Sequence, residues 1–306
     1  MSFANPASRA TAIPTSTGRE ENRGMLLGLI GVAMFSLTMP FTRMAVAELD
    51  PVFIALGRGL GAALLATAWL AWRRTPLPPR QTLLPLALVA GGCIVGSPLL
   101  ISIALRSAPA SHGSVLLGVM PLITALYAAL RGYEQPSRGF WGMALLGSGL
   151  VIAFALAQGG GLHAADLLLF GGVASAAVGY AEGGRVSRSM GGPETICWAL
   201  VLAAPVLLPV LLWHGLPDPA GVGAASWFAF AYVTGFSMFI GFFFWYRGLA
   251  LGGVARVGQV QLLQPFLSLV GAAVLLGESL TPTNCVFALA VVAVVFAGRR
   301  MAVRRQ

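Results

Sequence analysis

The chain has 306 residues, of which 57% are hydrophobic and 9% charged, with a mean hydropathy of +0.83 and a formal charge of +9. Soluble domains carry roughly 25% charged residues, so this composition excludes a wetted globular enzyme and leaves room for one membrane domain. Every basic residue is Arg, in short clusters between apolar runs; that is the pattern of membrane orientation and excludes a nucleic-acid-binding face.

In chain order, residues 1–23 read as a polar tail carrying Arg9, Arg19 and Arg23, without the apolar stretch of a cleaved leader. Apolar runs of roughly 20 residues, the length that crosses the hydrocarbon core, follow at 24–46, 51–72, 82–105, 110–131 and 139–158. A second set falls at 164–186, 193–214, 224–247, 253–276 and 281–298, with a short tail at 299–306. The joints "AELDP" and "GESLTPT" read as the tightest hairpins. Cys93, Cys197 and Cys285 lie in or beside apolar runs without paired spacing, so neither a disulfide framework, a metal nor a cofactor is indicated.

The two sets repeat each other. Sliding the chain by about 144 residues places Pro121 on Pro265, Thr124 on Ser268 and Glu134 on Glu278. A slide of about 142 places Arg43 on Arg185 and Pro51 on Pro193. Five spans per half is odd, so the second half must be inverted, which predicts an all-α, ten-helix carrier with an inverted five-plus-five repeat around a central cavity. With the N-terminus inside, the cytoplasmic joints hold every Arg except Arg43, Arg58 and Arg106, which places both termini in the cytoplasm. His112, His163, His214, Glu48, Asp50, Asp166, Asp218 and Glu278 fall on the outer side.

The segments "PVFIALGRGLGAALLATAW" (51–69), "ALRSAPASHGSVLLGVMPLITALYAALRGYE" (104–134) and "GLALGGVARVGQVQLLQPFLSLVGAAVLLGES" (248–279) carry a resemblance to the drug/metabolite transporter superfamily, as two tandem EamA-type domains. The matching marks are Arg58 early in the second span, Pro121 with Glu134, and Pro265 with Glu278; "RGYE" departs from the usual Gly-Glu. The resemblance covers about 24–298. It implies ten helices, a cavity walled by spans 1, 3, 4, 6, 8 and 9, and export of amino acids or related metabolites across a bacterial inner membrane. It also leaves span two outside the cavity wall.

Gln261, Gln264 and Ser268 share one face of span nine and must point into the bundle, either for interhelical bonds or for substrate. Met120 and Thr124 hold the matching face of span four, with Leu117. Thr38 beside Pro40 and Ser97 beside Pro98 mark polar, kinked stretches of spans one and three, and Tyr180 offers a hydroxyl from span six. On span eight, Thr234, Met238, Gly241 and Trp245 are taken as the cavity face, with Trp245 at an inner gate. Pro40, Pro98, Pro121, Pro265 and Arg58 are assigned structural or gating roles: Arg58 is expected to bond carbonyls or reach outward toward Glu48 or Asp50, the alternative being an anion clamp. Glu182 and Arg185 read as a surface ion pair, and Gly171, Ser175, Gly179 and Gly183 as a helix-packing stripe. Because no Asp, Glu or His falls near mid-span, uniport or exchange without obligatory proton coupling is expected. The expected partners are a small-molecule substrate and the lipid bilayer, with no nucleic acid, and the expected state is a monomer. A carrier of anionic metabolites such as nucleotide sugars is the alternative.

Overall fold

A computed structural model describes residues 18–107, 116–157, 164–277, separate helical positions between 282 and 297, and 303–305. The helices run in chain order as α1 (Gly18–Ala45), α2 (Pro51–Arg73), α3 (Arg80–Ala104), α4 (Leu117–Leu130), α5 (Arg138–Ala157), α6 (Ala164–Met190), α7 (Gly192–His214), α8 (Ala224–Gly252) and α9 (Val254–Leu276). Among the described residues, 7 helices are long and apolar enough to cross a membrane, and α4 is a shorter apolar helix. Most of the tenth expected span, Glu278 and Cys285 lie outside the described residues; from that span, Val294 packs on Leu262, Phe266 and Leu269 of α9.

The all-α reading needs one small amendment. Two three-residue strands, β1 (Glu134–Pro136) and β2 (Val303–Arg305), pair antiparallel and set Glu134 opposite Arg305. The tightest joints also differ from expectation. The helices α6 and α7 are separated by Gly191 alone and α8 and α9 by Gly253 alone, at φ +97° and +90°. A left-handed glycine reverses the chain in a single residue, and α6 and α8 run past their apolar runs to Met190 and Gly252.

The repeat persists in how the helices are broken. The π-helical stretch Ala90–Gly96 in α3 has its counterpart at Val233–Ile240 in α8. The 3-10 turn Leu117–Val119 opens α4, and Gln259–Leu263 occupies the matching place in α9. Each 3-10 turn ends just before a proline, Pro121 or Pro265, which cannot donate a backbone bond to the preceding turn. Among the described helices, α1 is also interrupted, at Leu37.

Glycines set the closest approaches. A Cβ on Gly24 of α1 would stand 2.5 Å from the backbone nitrogen of Gly252 in α8, and one on Gly248 would stand 2.8 Å from Gly24 O and Gly28 N. The expected stripe on α6 packs in the same way: a Cβ on Gly179 would meet Cys93 Sγ at 2.4 Å, and Ser175 donates to Gly92 O at 3.2 Å. Such small-residue seams let membrane helices touch backbone to backbone. The aromatics of α8 divide: Phe228 and Phe236 are exposed on the outside of the bundle, whereas Phe242, Trp245 and Tyr246 are buried, so Trp245 belongs to the core and not to an interfacial belt.

Candidate functional site

Near the middle of the bundle a cavity of about 70 Å³ opens between α1, α2, α3, α4, α6, α8 and α9. Its walls therefore come from both repeats. Thr38, Ser97, Met120, Tyr180, Met238 and Gln264 line it, as do Pro98 and Arg58. Phe35, Met39, Cys93, Ile101, Leu117, Ala176, Ser237 and Phe242 complete it. Three of these additions were findable by helical spacing: Phe35 precedes Thr38 by three, Cys93 precedes Ser97 by four, and Phe242 follows Met238 by four. Ser237, three residues after Thr234 and four before Gly241, also falls within the expected face of α8, in a stretch wound as a π-helix.

That same winding corrects the face expected on α8. Met238 lines the cavity, but Thr234 turns back to bond Phe230 O at 2.7 Å. Trp245 lies one layer beyond the cavity, its ring 5.2 Å from Tyr180 and 6.1 Å from Phe35. Phe35, Tyr180 and Phe242, with centroids 5.0 to 6.2 Å apart, form an aromatic floor above it. Beyond that floor, toward the Arg-rich end, the glycine seam holds α1 against α8.

Three other expected residues lie off the cavity wall. Ser268 donates to Ser36 O at 2.6 Å, the carbonyl that Pro40, lacking an N–H, leaves without its helical partner. Gln261 is buried and donates to Met120 Sδ at 3.2 Å, so α4 and α9 touch where the repeats cross. Thr124 is buried with its hydroxyl unpartnered among the described residues, and it does not line the cavity. Pro121 and Pro265 sit in the first turn after each 3-10 segment, away from the cavity wall.

Arg58 departs furthest from expectation. It neither reaches outward nor bonds a carbonyl. It is 5% exposed in the cavity wall, where Nη2 donates to Ser237 Oγ at 3.1 Å and Nε has no hydrogen-bond partner. Ser237 Oγ is 2.8 Å from Thr38 Oγ1, so a short polar chain runs from α2 through α8 to α1. The helix α2 thus joins the wall, because Gly57 and Gly61 admit it against Phe230 and Thr234 of α8. The two acids toward which Arg58 was expected to reach are occupied. Glu48 accepts from Gly223 N at 2.8 Å. Asp50 caps α2, accepting from Val52 N and Phe53 N, and pairs with His214 at 2.9 Å. Burial raises the Asp50 carboxyl, but His214 and the two backbone donors outweigh it, and its pKa falls below the ordinary value. Arg43 donates to Leu105 O at 2.6 Å at the same end of the bundle.

At the Arg-rich end two buried carboxylates tie the halves together. Glu134 is fully buried, accepts from Val254 N at 2.7 Å and Ala255 N at 2.6 Å, and pairs with Arg188 at 2.9 Å. It therefore caps α9, where the exposed amides and the helix dipole favour an anion. Glu182 is likewise fully buried, which corrects the surface pair: it accepts from Tyr127 at 2.8 Å and Tyr133 at 2.7 Å, with Arg131 at 3.5 Å and Arg185 at 3.6 Å. Burial, and then the bond to Glu182, push the Tyr133 hydroxyl above the ordinary phenol value. Arg256 pairs with Glu21 nearby. Among the described residues no group of His, Cys, Asp and Glu is arranged to hold a metal ion.

Residues 22–156 and 163–297 each match the model of the EamA-like transporter family. The chain is 42% identical over 280 residues to the uncharacterized transporter YdeK of Bacillus subtilis (strain 168), covering 91% of this chain and 98% of that one. It is 24% identical over 248 residues to an uncharacterized transporter of Archaeoglobus fulgidus, covering 78% and 84% of the two chains. Among solved structures, a crystal structure of a protein is similar with a TM-score of 0.71 over 90% of this chain and 96% of its own; at 17% identity that likeness bears on the fold alone.

Proposed function

The chain belongs to the EamA-like transporter family, as a multi-pass membrane transporter and not an enzyme, and from that premise we propose that it exports amino acids or similar small metabolites by alternating access. Transport is uniport or exchange without obligatory proton coupling. The protein works as a monomer in a bacterial inner membrane, with both termini in the cytoplasm. The observation that carries this reading is the mid-bundle cavity, walled from both repeats by hydroxyls, an amide, thioethers and aromatic rings. Such a mixture suits a small amphipathic solute. A cavity between inverted halves suits alternating exposure. The sidedness rests on the arginine bias.

The test is uptake of labelled amino acids by liposomes holding the purified protein, with and without a pH gradient. Saturable uptake indifferent to the gradient is the expected result. Uptake that collapses when only the gradient is removed overturns the coupling, and a flux that never saturates overturns the carrier. A carrier of anionic metabolites is the second reading, favoured by Arg58 standing in the cavity wall.

A further inference from the structure

We propose that Arg58 is the carboxylate-binding residue of the cavity, so that a transported molecule must present one free carboxylate there. This narrows the export reading and rests on it. A guanidinium stays protonated in proteins, and a charge within a membrane bundle is retained where it pairs or serves a pathway. Arg58 is 95% removed from solvent by its 5% exposure, yet its hydrogen-bond partner among the described residues is one neutral hydroxyl, Ser237. Its Nε–H is buried and unpaired. Among the described residues lining the cavity there is no Asp, Glu or His. The nearest acids along the chain are engaged elsewhere, Glu48 with Gly223 and Asp50 with His214. The site is therefore one fixed positive charge short of its counter-ion.

The geometry also limits what the counter-ion is. A planar fork with a free edge matches a carboxylate bidentately. One guanidinium balances one negative charge, so a dianionic phosphate would leave an unpaired charge in a wall that holds no second cation among its described residues. The rest of the molecule then lies over Phe35, Tyr180 and Phe242 and beside Gln264, where ring faces accept either an apolar side chain or an ammonium group. Both amino acids and their deaminated acids fit this description; their carboxamides and decarboxylated amines do not.

Competition tests this directly. Uptake of whichever labelled amino acid the liposomes accept is measured against its unlabelled 2-hydroxy acid, carboxamide and decarboxylated amine. The hydroxy acid should compete, and the other two should compete more weakly by about a hundredfold or more, as when one partner of a buried hydrogen-bonded charge pair is removed. R58Q should raise the half-saturating concentration by a similar factor, and R58K should recover part of it. A carboxamide that competes as well as the parent acid, or an R58Q protein with unchanged affinity, overturns the clamp while leaving the export reading intact. If no amino acid is taken up the export reading fails, and the clamp is read without transport. Phenylglyoxal labelling of Arg58, followed by peptide mass spectrometry on the wild-type protein, should be slowed by lactate and not by lactamide, with Arg43 as the internal control. Labelling that lactate does not slow, or no labelling at Arg58, overturns the proposal.

Discussion

Single residues in this bundle sort by whether their polar atoms are already spoken for. Ser268 spends its hydroxyl on Ser36 O, whose helical donor Pro40 removed. Ser268→Ala should therefore cost about 1 kcal/mol of stability while leaving half-saturating substrate concentrations unchanged; thermal unfolding and uptake on the same preparation check both halves. Glu134 holds two amides and Arg188 in a fully buried place. Glu134→Ala should cost about 3–5 kcal/mol, the range for breaking a buried pair from one side, and Glu134→Gln less, because one amide oxygen still accepts; thermal melts rank the three proteins. Much of this was legible in the chain. Among the residues that line the cavity, face periodicity pointed to Met120 and Gln264, polar stretches beside prolines to Thr38 and Ser97, and a hydroxyl in span six to Tyr180, and the prolines marked where helices break. What it could not read were bonds across the fold: the partner of Glu134 lies about 120 residues away, and Gln261 and Ser268 share the face of Gln264 with nothing local to tell cavity from contact.

At the level of the element, regular periodicity placed the helices and then failed wherever winding changed. The stretches Ala90–Gly96 and Val233–Ile240 have no proline at their centre and so no sequence mark, and the second holds Ser237, the partner of Arg58. The glycines of α1 and α8 were equally silent as single letters; their meaning lies in the opposing helix. The seam they form makes a sharp expectation. Gly248→Leu places a side chain where a Cβ already meets Gly24 O and Gly28 N at 2.8 Å, both backbone atoms that cannot yield locally. The helices must part, so a cysteine introduced at Phe35 should become reactive to a membrane-impermeant maleimide from the Arg-rich side, where the otherwise wild-type protein protects it. Equal protection in both proteins would mean that the seam is not what closes that side.

For the molecule as a whole, the two ends carry opposite chemistry. Glu48, Asp50 and His214 join the loops at one end, and Arg131, Arg185, Arg188 and Arg256 surround carboxylates at the other. Because the Asp50 pKa is lowered on folding, its contribution is present above its ordinary value of 3.8 and lost as pH falls through the lowered one. Asp50→Asn keeps a capping side chain and removes the charge. Its deficit against wild type should be at most about 1 kcal/mol, since the pair is partly exposed, should hold above pH 3.8, and should vanish only as pH falls through the lowered folded value; melts across a pH series show whether it does.

The carboxylate of Glu134 also has a place in time. It is made before the helix whose first amides it receives, so when α9 enters the bilayer its acceptor is already waiting at the membrane edge. Reversing the order of synthesis, by a circular permutant that starts in the second half and joins the old ends, would send α9 in with bare amides and leave them so until the other half arrived. Such a permutant should insert and mature more slowly than one cut between α1 and α2, upstream of Glu134, a difference that pulse-chase proteolysis in cells would resolve.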